Sequence, residues 1–224
     1  MYFPYYRYKK LLTLSICTLF SLGAYAHVIV EELDKLSVGA TINNYFQLGF
    51  QHIIPAGLDH ILFVISLFLL SPKVKNILWQ SAAFTLAHSI TLGLAMYKVI
   101  NIPSAIVEPI IAASIAVMAI QNIFFPKAGV KRFALVFAFG LIHGLGFAGS
   151  LATLGLPKNS FLMALISFNV GVEVGQLVVI LLCFLLVGKW FANKQYYHKY
   201  IVTPASIIIA LTAIYFTAER LFAS

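Results

Sequence analysis

Apolar runs of about 20 residues recur along nearly the whole chain, each long enough to cross a hydrocarbon core about 30 Å thick at 1.5 Å per helical residue. Of its 224 residues 61% are hydrophobic and 10% charged, and the mean hydropathy is +0.94. A soluble domain cannot keep so much apolar surface from water, so the bilayer is the solvent. The runs are continuous, unlike the ten-residue alternation of a membrane barrel. The expected fold is all-α: a polytopic membrane helical bundle of about six transmembrane helices, seven if an N-terminal segment stays attached. The spans are placed near 54–71, 76–97, 104–125, 132–155, 160–188 and 203–222.

Residues 1–26 carry Arg7, Lys9 and Lys10, then the apolar stretch Leu11 to Leu22, then Ala24-Tyr25-Ala26. That is the pattern of a signal peptide cut before His27, or of an uncleaved anchor. Cleavage removes three cations and no acid, taking the formal charge from +8 to +5. Residues 27–48 hold Glu31, Glu32 and Asp34 and read as a short extracytoplasmic segment, with residues 49–224 as the transmembrane domain.

With the mature N-terminus outside, Lys73, Lys75, Lys127, Lys131, Arg132, Lys189, Lys194 and Lys199 fall in cytoplasmic loops. Lys35, Lys98, Lys158 and Arg220 fall outside. This bias satisfies the positive-inside rule and suits a bacterial inner membrane. The basic charge thus reports topology. No free-standing basic and aromatic patch offers a nucleic-acid interface. Cys17 and Cys183 lie in apolar runs and form no C-x-x-C motif.

An ionised group inside a bilayer is costly unless paired, hydrated or neutralised, so the acids and histidines within the spans carry the information. The first span opens on His52-Ile-Ile-Pro-Ala-Gly-Leu-Asp59-His60, where Pro55 and Gly57 can break the helix. In the second, Ser81, Thr85, His88 and Thr91 share a face by their three- and four-residue steps, with Ser89 adjoining. Glu108 stands before Pro109 near the start of the third, where capping or bridging helices near the outer interface weighs evenly against a site role. The fourth sets His143 beside the small-x-x-x-small pair Gly140 and Gly144. The fifth carries Asn169, Glu173 and Gln176 on one face. Glu219 and Arg220 read as an exposed interfacial pair outside the site.

Nitrogen and oxygen donors dominate this set, and since imidazole suits zinc, copper, iron and nickel, a borderline first-row divalent cation fits best. His88 with Glu108, and His143 with Glu173, also hint at a diverged repeat, a pattern too weak to set the fold.

The strings G-F-Q-H-I-I-P-A-G-L-D-H-I-L-F, F-T-L-A-H-S-I-T-L, F-G-L-I-H-G-L-G-F-A and F-N-V-G-V-E-V-G-Q follow in an order that resembles the HupE/UreJ family, over about residues 45 to 185. The resemblance implies a membrane protein associated with nickel, a nickel or cobalt permease. It implies metal ligands at His52, Asp59, His60, His88, His143 and Glu173, with Ser89, Thr91, Glu108, Asn169 and Gln176 in support. Six residues separate His52 from Asp59 here against the family's usual five. One residue turns a continuous helix by about 100°, so either the segment is broken or His52 leaves the shell of Asp59.

The leading expectation is passage of a divalent transition-metal ion through this site, with His52, Asp59 and His60 at the outer entrance and His88, His143 and Glu173 near the midplane. The chain has no Walker loop, so the driving force comes from a gradient or a partner. The alternative is a metal-dependent intramembrane hydrolase using Ser89 beside His88 and Asp59 beside His60, although no H-E-x-x-H is present. A third is a non-catalytic sensor or assembly factor. The expected partners are the bilayer and the metal ion, with a homo-oligomer or metalloenzyme maturation proteins also compatible.

Overall fold

The computed structural model describes residues 37–70, 74–125, 129–154 and 160–222, and among these it is helical without strands. The expected signal segment and the acidic residues Glu31, Glu32 and Asp34 lie outside the described residues. The helices are α1 (Val38–Ile53), α2 (Leu58–Leu70), α3 (Val74–Met96), α4 (Ser104–Phe124), α5 (Val130–Leu154), α6 (Phe161–Cys183) and α7 (Thr203–Phe222). A π-helical turn, Phe184–Gly188, and a short helix, Lys189–Phe191, prolong α6. A second π-helical turn, His198–Val202, leads into α7.

Four helical stretches are long and apolar enough to cross a membrane: Ser104–Phe124, Val130–Gly149, Phe161–Phe191 and His198–Phe222. α1 and α2, bent by 68° at their junction, make a fifth if counted as one broken span. The chain is therefore a multi-pass membrane protein, with four or five candidate spans where six were expected.

Two of the expected spans account for the difference. α2 has 13 residues, about 20 Å of helix, too short to cross alone. α1 begins at Val38 inside the stretch expected to be a short extracytoplasmic segment, where Ser37 Oγ accepts from the Ala40 amide at 3.3 Å. α3 has 23 residues, and its own interior lowers its average hydropathy. Gln80, Ser81, Thr85, His88 and Thr91 are buried, while Leu78, Trp79, Leu86 and Ile90 are exposed. That is an apolar outer face over a polar inner one, which an average over the helix cannot register.

The helices associate chiefly in three pairs: α1 with α6, α3 with α5 and α4 with α7. Water-driven collapse is absent between helices in lipid, so close approach of small residues carries the packing. Gly49 faces the Phe168 carbonyl, Gly171 the Phe46 carbonyl and Gly140 the Phe84 carbonyl. In the α4–α7 region Ala116, Ala119, Ala210 and Ala213 share one buried cluster.

At the end of the bundle remote from Asp59, a polar cluster ties four elements together. Arg132 is 5% exposed, donating to Gln121 Oε1 at 3.3 Å and the Ser66 carbonyl at 3.2 Å. Asn122 also reaches the Ser66 carbonyl, and the His198 ring donates to the Asn122 carbonyl at 3.0 Å. Arg132, read from sequence as a loop cation, is thus a buried clamp.

Candidate functional site

The break between α1 and α2 decides what the first motif can do. α1 ends where Ile54 turns extended, and the amides of Ala56 and Gly57 bond back to the Gln51 and Ile53 carbonyls at 3.2 and 3.0 Å. Any Cβ at position 57 would collide with the His52 carbonyl, so the turn requires glycine. Because the helix is broken, the extra residue between His52 and Asp59 is absorbed. The rings of His52 and His60 lie 4.6 Å apart, centre to centre.

His88 and His143 join them through the α3–α5 pair. Gly144 sits directly on the His88 carbonyl and Thr91 Oγ1, leaving no room for a side chain. His60 becomes the hub: its ring centre is 5.7 Å from that of His88 and 5.0 Å from that of His143, while His52 and His88 are 6.1 Å apart. Phe84 packs 5.0 Å from His143 and Phe147 3.9 Å from His52, so the imidazoles have apolar walls.

In this lining, His52 Nε2, His60 Nε2, His88 Nδ1 and Nε2, and His143 Nδ1 are buried without a hydrogen-bond partner among the described residues. Buried polar atoms are nearly always satisfied, and each one left over costs about 1–3 kcal/mol. His143 is held from its other side. Ser114 Oγ gives its single proton to the Ile111 carbonyl at 2.6 Å, so at 3.0 Å it accepts from His143 Nε2–H. That fixes the tautomer and leaves the Nδ1 lone pair aimed away from Ser114. As the rings stand, no three His, Cys, Asp or Glu side chains among the described residues converge on one metal position.

A cavity of about 280 Å³ opens onto three of the four histidines, lined also by Asp59, Glu108 and Arg220. Arg220 Nη2 meets Asp59 Oδ2 at 2.8 Å, and its Nη1 donates to the Glu108 carbonyl at 3.1 Å. Asp59 Oδ1 is buried without a partner. Glu108 contributes backbone here, its side chain being exposed.

Glu173, expected near the midplane with His88 and His143, does not line this cavity. It belongs to a separate cluster between α3 and α6. Thr85 Oγ1 donates to Glu173 Oε2 at 2.5 Å and Ser81 Oγ to Gln176 Oε1 at 2.6 Å. Asn169 lines the adjoining groove and donates to the Leu165 carbonyl at 2.8 Å. Ser89 gives its proton to the Thr85 carbonyl at 2.6 Å, and Thr91 turns to the Ala87 and His88 carbonyls. No Ser89–His88 bond forms, so the nucleophile and base of the hydrolase alternative are not paired.

The family profile described as HupE / UreJ protein matches residues 26–220. The chain belongs to the HupE/UreJ family. No curated protein and no solved structure matches it. The match to this HupE/UreJ chain runs from before α1 to Arg220, so it takes in all four clustered histidines and both partners of the Asp59–Arg220 pair.

Two residues at the candidate site of this HupE/UreJ protein are not singled out by the sequence. Arg220, set aside as interfacial, closes the cavity mouth, and its position near the end of a span gave no hint of a partner on α2. Ser114 sits among alanines and isoleucines on α4, where a lone serine reads as a helix back-bond; only its distance to His143 distinguishes it.

Proposed function

We propose that this HupE/UreJ protein passes a divalent transition-metal ion, nickel or cobalt foremost, across a bacterial inner membrane, with the mature N-terminus outside. The cargo site is His52, His60, His88 and His143, with Asp59 at its mouth. The single observation that carries this reading is the set of buried, partnerless imidazole nitrogens contributed by α1, α2, α3 and α5.

Neutral imidazole suits nickel, cobalt and zinc. Metal–nitrogen bonds of about 2.0–2.1 Å in a tetrahedron place ring centres about 5 Å apart. The ring separations of 4.6 to 6.1 Å bracket that value, so modest ring rotations bring the donors together. Asp59 supplies the negative charge that draws a cation to the mouth, and Arg220 balances it between passages. Few ligands, neutral histidines and an off-centre carboxylate make a site that binds and releases. Glu173 is assigned no part in it.

The test is nickel and cobalt titration of the purified chain, followed by uptake into proteoliposomes, for the wild type, His60→Ala and the double variant His88→Ala/His143→Ala. Saturable binding and uptake that both variants lose is the expected result. A wild type that binds none of nickel, cobalt or zinc at neutral pH overturns the reading and leaves the histidines as a packed polar core.

A further inference from the structure

The cluster between α3 and α6 has a chemistry of its own. We propose that Ser81, Thr85, Glu173 and Gln176 form a sodium-ion site, separate from the histidines. Five oxygens meet there: both of the carboxylate, the Gln176 amide oxygen and two hydroxyls. Besides the two short contacts, Ser81 Oγ lies 3.4 Å from Glu173 Oε1, and Thr85 Oγ1 lies 3.5 Å from Gln176 Oε1. Hydroxyl, amide and carboxylate oxygens without nitrogen are the ligands of a hard cation.

The Gln176 amide gives the independent sign. Its side chain is fully buried, with the oxygen turned into the cluster and Nε2 left without a hydrogen-bond partner. Orienting an amide this way gathers acceptors at the expense of its donor, which a bound cation would repay. Ser81 is likewise fully buried, and Thr85 is 9% exposed.

Charge selects a monovalent ion. Glu173 brings one formal negative charge, and the ion pair found among the described residues lies elsewhere, at Asp59 and Arg220. Calcium sites commonly combine several carboxylates and six to eight oxygens, and magnesium usually keeps several waters and is held through carboxylates together with substrate phosphates. A shell of five protein oxygens suits sodium, which takes fewer ligands than the larger potassium.

Uptake needs the two hydroxyl protons to turn away. Ser81 and Thr85 each have a carbonyl four residues earlier, at Ile77 and Ser81, that can receive them. Ser89 and Thr91, on the same helix, already make this bond, to Thr85 and Ala87. The groove beside the cluster holds Thr85, Ser89, Asn169 and Glu173 next to the exposed Leu86, Ile166 and Val170. A sodium gradient acting here would give the cargo step a driving force, but the sodium site itself needs no transition metal at the histidines.

The experiment is equilibrium binding of radioactive sodium to the purified full-length chain, with choline chloride holding ionic strength constant and potassium as competitor. The wild type is expected to show one saturable site, poorly competed by potassium. Thr85→Val and Glu173→Gln should weaken it by about tenfold or more, roughly one lost ion–oxygen contact in energy. Thr85→Ser should restore it, and His60→Ala should leave it intact. Absence of saturable sodium binding in the wild type overturns the site, as does a Glu173→Gln variant that binds as tightly. Because His60→Ala is expected to remove nickel binding and to leave sodium binding intact, failure of either reading is seen separately.

Discussion

Asp59 and Arg220, 161 positions apart in the chain, meet at 2.8 Å where the cavity opens onto the histidines. The side chains are 22% and 25% exposed respectively, so water screens the pair only in part. A guanidinium on this carboxylate is a tethered rival to any cation arriving from outside. It also leans on Phe216, 5.7 Å from the ring centre, and on the Glu108 carbonyl, which hold it in place when the carboxylate is engaged elsewhere.

Replacing Arg220 by Gln removes the rival while keeping a donor. A charge-assisted hydrogen bond contributes about 1.5–3 kcal/mol, so nickel should bind the variant about tenfold more tightly, with slower release and lower turnover in proteoliposomes. Asp59→Asn should do the reverse, weakening capture at the mouth. Isothermal titration of both variants checks the pair. Equal loss of affinity in both would mean the ion pair serves only to join α2 to α7.

Ser114 offers a sharper probe, because it touches no cation. Its acceptance from His143 Nε2–H presents Nδ1 to the cavity. Ser114→Ala frees the ring to change tautomer and to turn, and supporting partners of this kind are worth about 10–100-fold in metal affinity. The expected outcome is that loss with the thermal transition almost unmoved, and Ser114→Thr should recover most of it. Unaltered affinity in Ser114→Ala would show that His143 is oriented by packing alone.

Much of this arrangement was legible from residue order, and the reason is physical. A bilayer penalises every polar side chain, so His60, His88 and His143 stood out against their apolar neighbours before any fold was known. Helical periodicity then placed Ser81, Thr85 and His88 on one face of α3, where they are found buried. Periodicity along one helix says nothing about which faces meet: Glu173, expected with His88 and His143, hydrogen-bonds to Ser81 and Thr85 and is not among the residues lining the histidine cavity. Arg220 was misjudged for the same reason, since a cation near a helix end has water as its default partner until a tertiary contact supplies another. Length and average hydropathy mark four or five spans among the described residues, below the six expected, because α3 turns its polar residues inward and α2 stops at 13 residues.

The broken helix itself can be tested at Gly57. A methyl group there would strike the His52 carbonyl, and the obstacle is backbone, which cannot step aside as a flexible side-chain tip can. Gly57→Ala must therefore open the turn, at about 1–3 kcal/mol for forcing bulk into a packed site. The opening moves His52 away from His60, because the 4.6 Å ring contact depends on the 68° bend between α1 and α2 at this point. The α3–α5 pair does not pass through Gly57, so His88 and His143 should keep their places. Nickel affinity should then fall to the level of a His52→Ala variant, and combining the two changes should add little, which a double-mutant cycle on binding measures directly. Full additivity would mean that His52 reaches the cargo site independently of the break.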